Sequence, residues 1–169
     1  VDSISMIAPE ESEHPNPSAG IGVFSVSADK QVTFSKGNLQ YTQSTNTWSF
    51  AENQYDYLGE ANIAIDADVL ADKVDLFGWS TSATYFGVST STDLENDYLG
   101  SFVDWGTNQI GDDAPNTWRT LTNAEWEYLL KTRANASSLK GVAQVDGVNG
   151  LILLPDNWVC PAGVTFNSG

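Results

Sequence analysis

The 169 residues include one cysteine and one histidine. Cys160 has no partner for an internal disulfide, and with His14 it falls short of any Cys/His zinc site. A single histidine in a loop-like segment also leaves a Ser/His/Asp or Cys/His nucleophile system without its base. Basic residues are scarce too, with seven Lys and Arg scattered against 22 Asp and Glu, for a formal charge of −15. No basic stripe is there to neutralise a run of phosphates, which excludes nucleic acid, and electrostatic docking on an anionic membrane is excluded with it. No run approaches the ~20 apolar residues of a membrane span. Val1–Ser5 has neither the basic nor the apolar region of a signal peptide, so an exported protein would have lost its targeting segment from this chain.

What the sequence does contain is aromatic and small polar. It is 41% hydrophobic with 19 aromatic residues, enough for a sizeable core in a chain of about one domain. Ser, Thr, Asn and Gly supply 58 residues, a profile that suits a β-rich, secreted or surface-displayed protein. Residues 1–20, with Pro9, Pro15, Pro17 and the acids Glu10, Glu11 and Glu13, lack periodicity and read as a tether. A domain is expected over 21–169. From Gly22 the pattern turns to period two, and strands around Val23–Ser27, Gln31–Ser35, Asn38–Thr42 and Thr47–Phe50 predict a four-stranded antiparallel meander. Its buried face should carry Phe24, Val26, Val32, Phe34, Leu39, Tyr41, Trp48 and Phe50. Residues 53–117 hold many aromatics without a period and read as long loops pinned by large side chains.

Thr122-Asn123-Ala124-Glu125 is a capping box, in which hydroxyl and carboxylate each satisfy the other residue's backbone N–H. It predicts a helix over about 123–133, packed through Trp126, Leu129 and Leu130, with Lys131 and Arg133 at the favourable end of the dipole. Two further strands, around Leu139–Val145 and Gly150–Leu154, should flank a turn at Asp146–Asn149.

No catalytic site is expected. Glu125 and Glu127 could be paired as in a glycosidase, but Glu125 is explained as a cap and Glu127 should point away from the Trp126 stripe. Asp66, Asp68, Asp72 and Asp75 lack the glycine and terminal Glu of a calcium loop, so a solvated acidic turn is the preferred reading. No metal or other cofactor is expected, with calcium at that stretch the one alternative. Cys160, between Trp158-Val159 and Pro161, reads as a small buried hydrophobe. Trp48, Trp105, Trp118, Trp126 and Trp158 sit where core anchors belong. Trp79, Tyr85 and Tyr98 are then the candidate ligand-stacking residues. Asn135-Ala136-Ser137 is an N-glycosylation sequon, and Asp2-Ser3-Ile4 resembles a short O-glycosylation motif of Bacteroides-type bacteria.

Thr117-Trp118-Arg119-Thr120-Leu121-Thr122-Asn123-Ala124-Glu125-Trp126-Glu127-Tyr128 resembles the WR…TxAEWEY signature of formylglycine-generating-enzyme-like (sulfatase-modifying factor) and related C-type-lectin-like domains. Further markers are Lys36-Gly37-Asn38-Leu39-Gln40-Tyr41, Asp75-Leu76-Phe77-Gly78-Trp79-Ser80, Asp104-Trp105-Gly106 and Leu153-Leu154-Pro155-Asp156-Asn157-Trp158. Together they are similar to a group of Bacteroidetes surface proteins related to the Fibrobacter succinogenes major paralogous domain. The resemblance implies an α+β, C-type-lectin-like fold and a lipoprotein-like surface location, outer-membrane anchored. It also implies that residues 21–169 form the N-terminal part of such a domain, about two-thirds of it. Leu121 stands where the signature has proline, which leaves the cap intact, and Cys160 matches no working cysteine of the oxidases, so their activity is not carried over. The expected function is adhesin-like binding of an extracellular glycan or protein ligand. The alternative is a structural subunit of a surface fibre, joined by self-association or strand addition at an open sheet edge.

Overall fold

The computed structural model describes residues 6–7, 22–42, 44–58, 72–75, 77 and 103–168. Residues 66–71, whose sequence suggests a short helix or 3₁₀ turn, lie outside them, as do His14 and most of the tether. The described residues form small antiparallel sheets and one short helix, an α+β arrangement. The chain divides into two compact units, Val1–Met6 with Ser35–Thr120 and Ile7–Phe34 with Leu121–Gly169. A short strand β1 (Met6–Ile7) is paired with a later strand, Arg119–Thr120.

The second unit contains β2 (Phe24–Ser25) and β3 (Gln31–Val32), with Phe24 opposite Val32. Both strands are shorter than their alternation predicts. The N–H groups of Val26 and Ser27 both turn onto the carbonyl of Lys30, at 2.9 and 3.3 Å, and that bulged closure ends the ladder.

In the first unit, β4 (Leu39–Thr42) lies between β5 (Thr47–Phe50) and β6 (Lys73–Val74). Tyr41 faces Trp48 on one side and Val74 on the other. The expected four-stranded meander is therefore two separate ladders: β3 and β4 do not pair, and they belong to different units. The chain between them turns, with the Ser35 hydroxyl donating to the carbonyl of Gly37 and the Gln54 amide donating to that of Ser35. The expected inward residues hold nonetheless. Phe24, Val26, Val32, Leu39, Tyr41 and Trp48 are buried, and Phe34 and Phe50 pack at the margin of their cores.

The first core is aromatic. Trp48 stacks on Trp105 at 5.6 Å between ring centroids, and Phe77 touches both at 5.3 and 5.5 Å. Such contacts add about 0.5–1.5 kcal/mol per pair beyond area burial. Trp105 is placed by a single 3₁₀ turn, Trp105–Thr107, whose cap is Asp104. One Asp104 oxygen accepts from the Gly106 N–H at 2.8 Å, and the other accepts from the N–H and hydroxyl of Thr120, in β7 (Arg119–Thr120), at 3.0 and 2.8 Å. The Asp-Trp-Gly run thus orients an aromatic anchor and ties its turn to β7.

The second core gathers Phe24, Val26, Val32, Leu121 and Leu129, with Phe34, Trp126 and Leu153 at its margin. Helix α1 (Asn123–Glu127) passes directly into a π turn over Tyr128–Thr132, closed by the Arg133 N–H on the Tyr128 carbonyl. The wider turn replaces the continuous α-helix that the period predicts through 133. It leaves the Leu129 carbonyl to Arg133 Nε at 2.9 Å and the Leu130 carbonyl to Lys140 Nζ at 2.7 Å. Strands β8 (Lys140–Val145) and β9 (Val148–Leu153) form a hairpin whose loop is Asp146 and Gly147 alone, at φ 50° and 81°. Two consecutive left-handed residues make the tight turn whose twist matches a hairpin, so β9 starts two residues earlier than expected.

A methyl group on Gly106 would overlap the backbone carbonyl of Trp118. Gly106→Ala is expected to cost about 2–3 kcal/mol, read as a lower urea midpoint followed by tryptophan fluorescence. An unchanged midpoint would mean the turn has slack that the packing does not show.

Candidate functional site

The capping box forms as its residues dictate. The Glu125 N–H donates to Thr122 Oγ1 at 3.2 Å and the Thr122 N–H to Glu125 Oε2 at 2.8 Å. Glu125 also meets Lys30 Nζ at 3.2 Å, with the carboxylate side chain 13% exposed. Trp126 stacks on Phe34 at 6.0 Å, so its ring serves the core. Glu127 pairs with Lys131 one turn on, at 3.1 Å, an exposed contact that is worth little.

The centre of the second unit is a charge pair. Arg133 is 2% exposed, and its guanidinium reaches Asp156 Oδ1 at 2.9 Å and the Leu139 carbonyl at 3.2 Å. Its carbon sits 5.7 Å from the centre of the Phe24 ring. The other Asp156 oxygen accepts from the Ser25 N–H at 2.8 Å, the Ser25 hydroxyl at 2.6 Å and Gln31 Nε2 at 3.1 Å. The Asp156 N–H also bonds the Val23 carbonyl at 2.9 Å. Partial burial opposes ionisation of Asp156, but the hydrogen bonds from Ser25, Arg133 and Gln31 outweigh it, and its pKa lies below the usual aspartate value. Sequence periodicity could not pair residues 23 and 131 positions apart. The nearest signal was Arg133 on the inward stripe, where a cation needs a buried partner.

Asp72 and Asp75, from the acidic stretch, hold loops. Asp72 accepts from the Ser44 N–H at 3.0 Å, and hydrogen bonds from Ser44 lower its pKa. Asp75 accepts from the Leu58 N–H at 2.6 Å. Among the described residues no three His, Cys, Asp or Glu gather as a metal site would require. Trp79, Tyr85 and Tyr98, and also Asp66 and Asp68, lie outside the described residues.

Cys160 departs from expectation. It is exposed, with its thiol on the Val164 carbonyl at 3.1 Å, in the stretch after β9 where residues 154–168 form no helix or strand. Val159 and Val164 in this stretch are exposed, as are Val142, Val145 and Leu151 on the preceding hairpin. Beneath the hairpin Trp158 meets Phe166 edge-on at 5.5 Å, and Phe166 covers Gly141. The exposed Val142 and Leu151 therefore stand on a hairpin that is packed from below.

Replacing Asp156 by Asn leaves a buried guanidinium without its counter-charge, at an expected cost of about 3 kcal/mol near neutral pH. Because the folded-state pKa is depressed, the stabilisation is present above the unfolded value of about 3.9 and fades as pH falls through the lower folded value. Denaturant melts of wild type and Asp156→Asn should converge as pH drops from 6 to 3. A gap that stays constant over that range would remove the electrostatic explanation.

No protein-family model, curated protein or solved structure matches this chain.

Proposed function

We propose that the chain is a non-catalytic, adhesin-like binding module of the extracellular cell surface, taking a glycan or protein ligand. The observation that carries this reading is the apolar pair that the β8–β9 hairpin turns to solvent, Val142 and Leu151, which lie opposite one another in the ladder and are both exposed. Water-exposed apolar groups lying together mark an interaction surface more often than scattered ones do. Supporting it, the acids that hydrolytic chemistry would draw on serve the scaffold: Glu125 caps and binds Lys30, Glu127 pairs with Lys131, and Asp156 holds Arg133. The α+β arrangement and the Thr122–Glu125 cap agree with a C-type-lectin-like domain related to the Fibrobacter paralogous group, and the acidic tether suits display at a surface. Trp79, Tyr85 and Tyr98 remain the residues proposed to stack on sugar rings.

A second reading, a structural subunit of a surface fibre, is favoured by one observation: among the described residues, β8 and β9 pair only with each other.

A glycan array and capture from surface-exposed material, run in parallel, test the first reading. Retention is expected on one of the two. If on glycans, Trp79→Ala, Tyr85→Ala or Tyr98→Ala should weaken it about tenfold, equivalent to about 1.4 kcal/mol; if on protein, Leu151→Glu should remove it. Silence on both would overturn the binding-module reading.

A further inference from the structure

The β8–β9 hairpin has a phase that can be read from its ends. A two-residue loop makes Val145 and Val148 the closing hydrogen-bonded pair, and the Leu154 N–H on the Leu139 carbonyl, at 2.8 Å, continues the same phase at the base. Hydrogen-bonded pairs alternate with non-bonded ones in an antiparallel ladder. Gly141 and Ala143 therefore bond inward to β9, and Lys140, Val142 and Gln144 turn their N–H and C=O groups to the outer edge. Among the described residues, no backbone bond to another segment is recorded for these three. Val142 is 76% exposed, and Leu151 opposite it is 53% exposed.

Edge strands are ordinarily guarded by charge, proline or a covering segment. This one is not. From residue 134 to the end the chain carries one lysine and two of its 22 acids. Lys140 spends its ammonium on the Leu130 carbonyl, and Asp156 is held by Arg133, which leaves Asp146 at the hairpin tip. Two copies of a chain with a net charge of −15 repel one another, and this charge-poor strand adds little to that repulsion.

We propose that β8 pairs antiparallel with β8 of a second copy about a two-fold axis through Val142, joining the two hairpins into one four-stranded sheet. Lys140, Val142 and Gln144 of each copy then give one N–H and one C=O apiece to the other. On one face Leu151, Val142, Val142 of the second copy and Leu151 of the second copy form a continuous apolar row. On the other face Gly141 meets Ala143 of the second copy, a pair of small residues, with each Gly141 lying under Phe166 of its own copy. The register is selected by charge: with the axis at Val142, Lys140 lies opposite Gln144, whereas an axis at Lys140 sets lysine against lysine. The contact is isologous and closes at two copies. It goes beyond the ligand-binding reading and stands or falls with no ligand present.

Sedimentation velocity of the full chain over a concentration series is the test, with a crosslink to fix the register. A reversible monomer–dimer equilibrium is expected, and Val142→Lys should weaken it at least tenfold while leaving the circular dichroism unchanged. In a Cys160→Ser background, Val142→Cys should crosslink to a covalent dimer on mild oxidation. Cα atoms of a hydrogen-bonded antiparallel pair lie about 5.5 Å apart, within the ~4.4–6.8 Å that a disulfide spans. Val145→Cys in the same background is off the axis and should stay monomeric. A chain that is monomeric throughout the series, an open-ended polymer, or equal crosslinking by both cysteine variants would overturn the proposal. Loss of ligand binding with the dimer intact would sink only the binding-module reading.

Discussion

A guanidinium shut away from water is tolerable only if its charge and its donors are matched, and Arg133 is almost wholly shut away. Its partners come from four parts of the second unit: the end of the helical segment through Leu129, the approach to β8 through Leu139, β2 through Phe24, and the chain beyond β9 through Asp156. Asp156 extends the network to Ser25 and Gln31, so both strands of the β2–β3 ladder are tied to the same carboxylate. Short ladders such as β2 and β3, two residues each, have little hydrogen bonding of their own. The charge pair supplies the long-range definition that they lack, and it holds the base from which the β8–β9 hairpin projects.

The first unit solves the same problem with aromatic rings. Its strands are also short, but Tyr41, Trp48, Phe77 and Trp105 present large rings to one another, and Asp104 fixes the turn that carries Trp105. One unit is specified by polar convergence and the other by aromatic packing. Both devices suit a chain rich in Ser, Thr, Asn and Gly, whose described strands run to six residues at most.

What could be read from the sequence was local. Thr122 and Glu125 stand three residues apart, and their reciprocal bonds need no distant partner, so the helix start was legible to the residue. Alternation named Leu39, Tyr41 and Trp48 for the same reason, but missed that Gln40 between the first two is buried as well. Its limits appear where the chain makes choices that a period does not encode. The helical stripe runs unbroken to Arg133, yet the backbone opens into a π turn because Arg133 and Lys140 draw on its carbonyls. Four alternating segments suggested one meander, but the Ser35–Gly37 turn separates β3 from β4. Cys160 was misread because apolar neighbours in sequence do not guarantee an element packed against them. The Arg133–Asp156 network joins residues that no local rule relates. Of the candidate site, the sequence showed the aromatic residues but not the apolar hairpin, because outward-facing Val142 and Leu151 look in a period-two pattern like any other core pair.

The central claim is that the Arg133–Asp156 pair organises the second unit as a whole. Native-state hydrogen exchange on wild type and Asp156→Ala tests it most directly, because amide protection reports opening segment by segment. The account predicts that amides of β2, the Leu129–Arg133 turn and the base of the β8–β9 hairpin lose protection together, while β4 and β5 keep theirs. Loss confined to the residues adjoining position 156 would contradict it.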